Sequence, residues 1–179
     1  MAAFTVIDHT ELTGGVAASI EFTSISGSYD HLYIQVSMGT DSSDSPRLGM
    51  LQLGNGSVDT GTNYSETRLL AQTATPASSR ATGETYMSGF KLVGTNLLAD
   101  TFSSATFWIP NYANTANFKQ VLIGGVTPNN STSDNEWSIG IAGGLWSSTS
   151  AVDVVKFQSF PSSNIAQYST VTLYGVTGA

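Results

Sequence analysis

The chain has 179 residues, a net charge of −7, no cysteine and only 11% charged residues, against about 25% in an average soluble protein. This length suits one domain that buries its own core. The absence of cysteine excludes disulfides and thiolate chemistry. The six basic residues are spread along the sequence, so we expect no nucleic-acid partner, because phosphate neutralisation needs clustered positive charge.

Apolar and polar residues alternate with a period of two along most of the chain. Within His31–Met38, every second residue from Leu32 onward is apolar, which predicts a strand with one buried face. Similar patterns predict strands over residues 4–7, 19–25, 48–53, 65–71, 84–93, 105–109, 119–126, 137–142, 152–158 and 169–176. Clusters of Gly, Pro, Asn, Asp and Ser between them predict turns, including turns over 54–61 and 75–83.

About ten short antiparallel strands indicate a single all-β domain over residues 1–179, a β-sandwich of the jelly-roll type, with a short N-terminal arm over about residues 1–12. A closed barrel is the alternative. The segment 63–71 is the weakest of the strand predictions, because its residues could also support one helical turn. Four glycines inside predicted strands indicate bulges or close backbone contacts; they are Gly89, Gly124, Gly125 and Gly140.

Neither a membrane span nor a secretory signal is expected. No window reaches about 18 apolar residues. The start of the chain has neither a basic region nor an apolar stretch that would indicate a signal peptide.

The sequence has no recognisable catalytic or cofactor motif. His9 and His31 are the two histidines, and no nucleophile elbow, P-loop or dinucleotide fingerprint is present. Glu84 and Glu136 could act as a glycosidase pair only if the fold brought them together. The acidic and serine-rich residues 41–45 could offer oxygen ligands to calcium, but they lack the EF-hand pattern. We therefore expect no enzyme, no cofactor and no metal ion.

Aromatic residues and the N-terminal arm are the candidates for an interface. Tyr112 follows a Pro-Asn pair in a predicted loop and is expected to be exposed, and Trp146 is also expected in a loop. Phe4 and His9 belong to the arm, which could reach over a neighbouring subunit. We predict that Phe4, His9, Tyr112 and Trp146 lie at an interface.

Five stretches, in the same order along nearly the whole chain, resemble a family of small all-β virion proteins of tailed bacteriophages, notably those of marine and cyanobacterial hosts. The stretches are residues 19–25, residues 29–34, Asn111-Tyr112-Ala113-Asn114-Thr115, Gly144-Leu145-Trp146-Ser147 and residues 166–176. The resemblance implies a structural role in the virion, either as a capsid decoration (cement) protein or as a tail-fibre or tail-tip component. It brings no catalytic residues with it.

Two roles follow from this resemblance, with the head favoured over the tail. A decoration protein would bind the major capsid protein on the outer shell, as a homotrimer, after assembly in the cytoplasm of the host bacterium. A tail-fibre module would bind other tail proteins, or host surface glycans through Tyr112 and Trp146. A carbohydrate-active enzyme of the same β class is a third alternative.

Overall fold

The computed structural model describes residues 3–44, 46–72, 76–128, 138–160 and 162–178. The regular secondary structure in these ranges is β-strand throughout, in two antiparallel sheets. The strands are β1 (Ala3–Glu11), β2 (Ser19–Phe22), β3 (His31–Met38), β4 (Arg47–Asn55), β5 (Ser57–Val58), β6 (Tyr64–Ala71), β7 (Ala77–Glu84), β8 (Met87–Leu92), β9 (Ser103–Pro110), β10 (Lys119–Thr127), β11 (Ser138–Trp146), β12 (Val154–Phe160) and β13 (Thr170–Thr177). The predicted all-β sandwich is confirmed, and the segment 63–71 forms a strand rather than a helical turn.

The larger sheet has eight strands in the order β1-β13-β3-β9-β10-β11-β6-β7. The smaller sheet has the order β2-β12-β4-β5, and β8 pairs with β4 as well. Successive strands at both ends of the chain alternate between the sheets, as β1 to β2, β2 to β3 and β3 to β4 do. Because the larger sheet ends at β1 and β7, it is open, and the closed-barrel alternative is wrong.

The core lies between the two sheets and is built from alternate residues of the strands. Leu32 and Ile34 of β3 are fully buried, as the period of two predicts. Phe107 of the larger sheet meets Phe90 and Phe157 of the smaller sheet edge to face, with ring centroids 5.1 and 5.2 Å apart. Edge-to-face pairs are the favoured arrangement of aromatic rings, so these contacts tie the two sheets together at the centre of the core.

Three of the four glycines for which the sequence predicts a bulge or a close contact do lie in close contacts. A Cβ on Gly89 would lie 2.6 Å from the Cβ of Ala142. A Cβ on Gly125 would lie 2.9 Å from the Cβ of Phe90, and one on Gly140 would lie 3.0 Å from a methyl carbon of Leu70. The prediction is wrong for Gly124, where the nearest atom would be at an ordinary 3.6 Å.

The turn predicted over residues 75–83 is wrong, because Ala77–Glu84 forms strand β7. It pairs antiparallel with β6 along its length and forms one edge of the larger sheet. Its side chains are exposed or half-buried on both faces, so its sequence has no apolar alternation to reveal it. Backbone hydrogen bonds to β6 hold it in place, and any polar sequence can make them.

The N-terminal segment, predicted as an arm, is a strand in the structure. Residues 3–11 form β1, which pairs with β13 from Ala3 opposite Thr177 to Glu11 opposite Thr170, with a bulge at Ile7. The bulge turns Ile7 toward the core, against which it packs half-buried. The segment is therefore an edge strand of this domain rather than a free arm.

Candidate interaction surface

The outer face is the side of the larger sheet that points away from the smaller sheet. Over its six inner strands, the outer face carries no aspartate, glutamate, lysine or arginine. Its residues there are Thr170, Thr172, Tyr174, Val176, His31, Tyr33, Gln35, Ser37, Ser104, Thr106, Trp108, Pro110, Gln120, Leu122, Gly124, Val126, Ile139, Ile141, Gly143, Leu145, Ser65, Thr67, Leu69 and Ala71. Charge returns only at the borders, with Glu11 on β1 and Arg80 on β7.

Aromatic rings form a ridge on the half of the outer face nearest β1. Phe4 packs edge to face against Tyr33 and Tyr174, with ring centroids 5.6 and 6.3 Å away. Trp108 is the cross-strand neighbour of Tyr33 and contacts the ring of His31 at 4.9 Å. These five residues are called the aromatic ridge below. Cross-strand aromatic pairs stabilise a sheet, and here they also present rings to the outside.

The other half of the outer face is an aliphatic groove. Leu69, Val126, Ile139 and Ile141 line it, each 40–60% exposed, and small residues such as Gly124 form its floor. Its volume is about 620 Å³. Single exposed apolar residues are ordinary on a protein surface, whereas a contiguous patch of them is typical of an interaction site.

The charge of the chain lies elsewhere. Glu21 and Lys156 are cross-strand neighbours on the outside of the smaller sheet, and Asp30, Asp41 and Asp153 lie in connections between strands. Covering the outer face with another neutral surface would therefore strip water from few ions, and desolvating ions is the costly part of burying a polar surface.

Two of the four predicted interface residues lie on the outer face. Phe4 is 59% exposed and belongs to the aromatic ridge. His9 is exposed on β1 opposite Thr172, and its Nδ1 lies 2.8 Å from the hydroxyl of that residue. The structure thus brings both side chains to the same surface, through a strand and not through the arm that was expected.

Tyr112 is buried, which corrects its predicted exposure. The connection after β9 folds back over one end of the sandwich, with Asn111 at a φ of 49°. The Tyr112 hydroxyl donates to the carbonyl of Ser26 and accepts from the N–H of Tyr29 at 3.4 Å. Burial raises the pKa of Tyr112. Its side chain anchors this connection to the core and cannot stack on a ligand.

Trp146 is also buried, 2% exposed, and this corrects its predicted place in a loop. Strand β11 runs on to Trp146, which puts the indole on the inward face. The indole N–H donates to Asp59 at 2.7 Å. Burial alone would raise the pKa of Asp59, but hydrogen bonds from Trp146, Asn63 and the N–H of Gly61 lower it below its usual value.

Residues 41–44 of the predicted polar turn over 41–45 lie in the connection between β3 and β4, and Ser45 lies outside the described residues. The carboxylate of Asp41 accepts from the N–H and the side-chain amide of Asn164, at 2.7 and 2.8 Å. Asp44 pairs with Arg47 at 2.9 Å. Within the described ranges, no group of three or more metal-binding side chains comes together.

Buried charged groups are held by structural hydrogen bonds. The carboxylate of Glu66 accepts from the N–H and hydroxyl of Ser88, at 2.7 and 2.8 Å, and pairs with Arg68 at 3.1 Å. The ammonium of Lys119 donates to the carbonyl oxygens of Asn117 and Thr149, and burial lowers its pKa.

The structure does not test whether Glu84 and Glu136 come together, because only Glu84 is among the described residues. Glu84 ends β7 at the edge of the larger sheet, and Glu136 lies outside the described residues, as does Trp137. In the part of the chain that the structure describes, no helix is long and apolar enough to cross a membrane.

No family model, no curated protein and no solved structure matches this chain.

Proposed function

We propose that this chain is a structural protein of a tailed-phage particle, a capsid decoration protein whose outer face packs against neighbouring protein subunits. One observation carries the proposal: six adjacent strands present a surface of apolar and uncharged polar residues without a charged side chain, in a chain with a net charge of −7. A surface of this kind fits protein–protein contact, because the centres of protein interfaces are depleted in charge and enriched in aromatic residues.

The strand order supports a jelly roll, an architecture used by viral capsid proteins. Eight of the strands pair in two sets of four, β1-β13-β3-β9 and β2-β12-β4-β8. In chain order these strands alternate between the two sets, except that β4 and β8 belong to the same set and pair with each other, and this is the order that two Greek keys require. Strands β10, β11, β6 and β7 then extend the first set, and the aliphatic groove lies on this extension.

A tail-fibre module that binds host glycans is the second candidate, and the aromatic ridge favours it. Tyr112 and Trp146 are buried and do not serve this role. Tyr33, Tyr174 and Trp108 instead point outward on adjacent strands, and rings presented in this way can stack on sugar rings.

The location of the chain in the particle tests the proposal. Cryo-electron microscopy of particles from the phage that encodes it should show density of this fold on the outside of the head. Heads assembled without the chain should lose their DNA at lower temperature and regain stability when purified chain is added. Density confined to the tail, together with binding of the purified chain to host polysaccharide, would refute the decoration role and favour the second candidate.

A further inference from the structure

We propose that the outer face binds a second copy of this chain, with the two larger sheets packed face to face about a two-fold axis. This inference rests on the proposed function, in which the outer face packs against a neighbouring subunit. It identifies that subunit as a second copy of this chain. Each copy would place its aromatic ridge over the aliphatic groove of the other. Every contact then occurs twice, as an isologous interface requires.

The shape of the outer face is self-complementary. The aromatic ridge is raised by large rings, whereas the groove beside it has a floor that includes Gly124, Thr106 and Ser104. Leu122 lies at the junction, opposite Trp108 on β9 and beside Ile141 on the neighbouring strand. A two-fold axis in the interface near Leu122 exchanges the two halves, so that the ridge of one copy faces the groove of the other.

The outer face is large enough to form the interface of a stable dimer. Six strands at about 4.8 Å spacing span about 29 Å, and eight residues at about 3.4 Å per residue span about 27 Å. The outer face over β13, β3, β9, β10, β11 and β6 therefore covers roughly 800 Å², which is about the area that each partner buries in a standard interface.

The absence of charge on the outer face favours a partner surface that is also free of charge. Two molecules of net charge −7 repel each other least when they meet through uncharged surfaces, because their charged residues are then farthest apart and best screened. The outer face is such a surface, because its charged residues, Glu11 and Arg80, stand only at its borders. Face-to-face packing leaves the charged residues of the smaller sheet and of the connections between strands in solvent and free to contact the capsid shell.

The oligomeric state of the full chain tests the proposal, with Leu122→Lys as the variant and Leu98→Lys as its control. Both leucines are 52% exposed, but Leu98 lies in the connection between β8 and β9, where it lines a cavity with Thr40 and Ala166 instead of belonging to the outer face. Sedimentation equilibrium should show a dimer for the wild type and for Leu98→Lys. Leu122→Lys should raise the dissociation constant at least about a hundredfold, because each dimer would bury two unpaired ammonium groups.

A thiol probe gives a second readout that does not depend on the stability of the lysine variant. The chain has no cysteine, so Ser104→Cys on the floor of the groove and Ser150→Cys in the connection after β11 each introduce one thiol. Maleimide labelling of Ser104→Cys should slow as the protein concentration rises through the dissociation constant. Labelling of Ser150→Cys should not change.

A wild-type chain that stays monomeric, a dimer or trimer that Leu122→Lys leaves intact, or labelling of Ser104→Cys that is independent of concentration would each overturn the proposal. These outcomes are distinct from failure of the proposed function. A monomer in solution leaves the location in the particle as predicted, whereas absence of the chain from the head leaves the dimer as predicted.

Discussion

Gly89 offers the most direct test of how the two sheets pack. A Cβ at this position would lie 2.6 Å from the Cβ of Ala142 and 3.0 Å from the Cδ1 of Ile123, whereas carbon atoms in contact prefer about 3.5–4.0 Å. The substitution Gly89→Ala therefore requires a shift of about 1 Å between β8 and the larger sheet. Overpacking of this kind costs about 1–3 kcal/mol of unfolding free energy.

The expected loss is measurable by equilibrium urea unfolding followed by circular dichroism. A loss of about 2 kcal/mol lowers the urea midpoint by about 1 M at an m value of about 2 kcal/mol/M, and lowers the melting temperature by roughly 4–8 °C for a chain of this length. Gly143→Ala is the matched control, because Gly143 lies in a strand and no atom lies within 4 Å of where its Cβ would be.

Both variants are made in the Leu122→Lys background, which removes the proposed self-association from the measurement. Gly143→Ala should change the unfolding free energy by less than about 0.5 kcal/mol. A midpoint for Gly89→Ala equal to that of its background would refute the close packing of β8 on the larger sheet. So would an equal loss in the Gly143→Ala control.

Three further predictions concern buried polar contacts. Trp146→Phe removes the hydrogen bond to the Asp59 carboxylate and should lower the unfolding free energy by about 1.5–3 kcal/mol; an unchanged urea midpoint would contradict the contact. Because the folded pKa of Asp59 is lowered, its contribution is complete above the unfolded pKa of about 3.9 and is lost as pH falls through the folded pKa. Asp59→Asn should therefore flatten the fall in stability below about pH 4, and an equally steep fall would contradict this assignment. Glu66→Ala leaves the buried N–H and hydroxyl of Ser88 without their acceptor and should cost about 1–3 kcal/mol, whereas Glu84→Ala at the sheet edge should cost less than about 0.5 kcal/mol; equal losses would refute the structural role of Glu66.

The fold class could be predicted because burial between two sheets imposes a period of two on the strands. The pattern in His31–Met38 matches β3 residue for residue, and residues 119–126 match β10 to within one residue. Strand β7 lacks this periodic signal, because it has no buried face. A strand held only by its backbone at a sheet edge has no side-chain pattern to detect.

The wrong predictions for Trp146 and Tyr112 have a related cause. Trp146 continues the inward alternation of β11, but the glycine pair at 143–144 weakens the strand pattern before it, so the sequence does not reveal that the strand extends to this residue. The position of Tyr112 follows from the connection after β9 turning back over the core, where its hydroxyl bonds to the carbonyl of Ser26. That contact joins residues 86 positions apart, and a local pattern contains no information about it.

The outer face has a signal in the sequence that the alternation of polar and apolar residues does not show, namely the absence of charge at its outward-facing positions. A strand that keeps one face in water usually places polar residues at every second position, and on the outside of the smaller sheet these include the charged neighbours Glu21 and Lys156. In β3, β9, β10 and β11 the corresponding positions hold only uncharged residues. The presence or absence of charged residues at the outward-facing positions of a strand therefore helps to distinguish a face that stays in water from one suited to protein contact. Predicting the groove also requires the order of the strands in the sheet. Leu69, Ile141 and Val126 become neighbours only when β6, β11 and β10 pair.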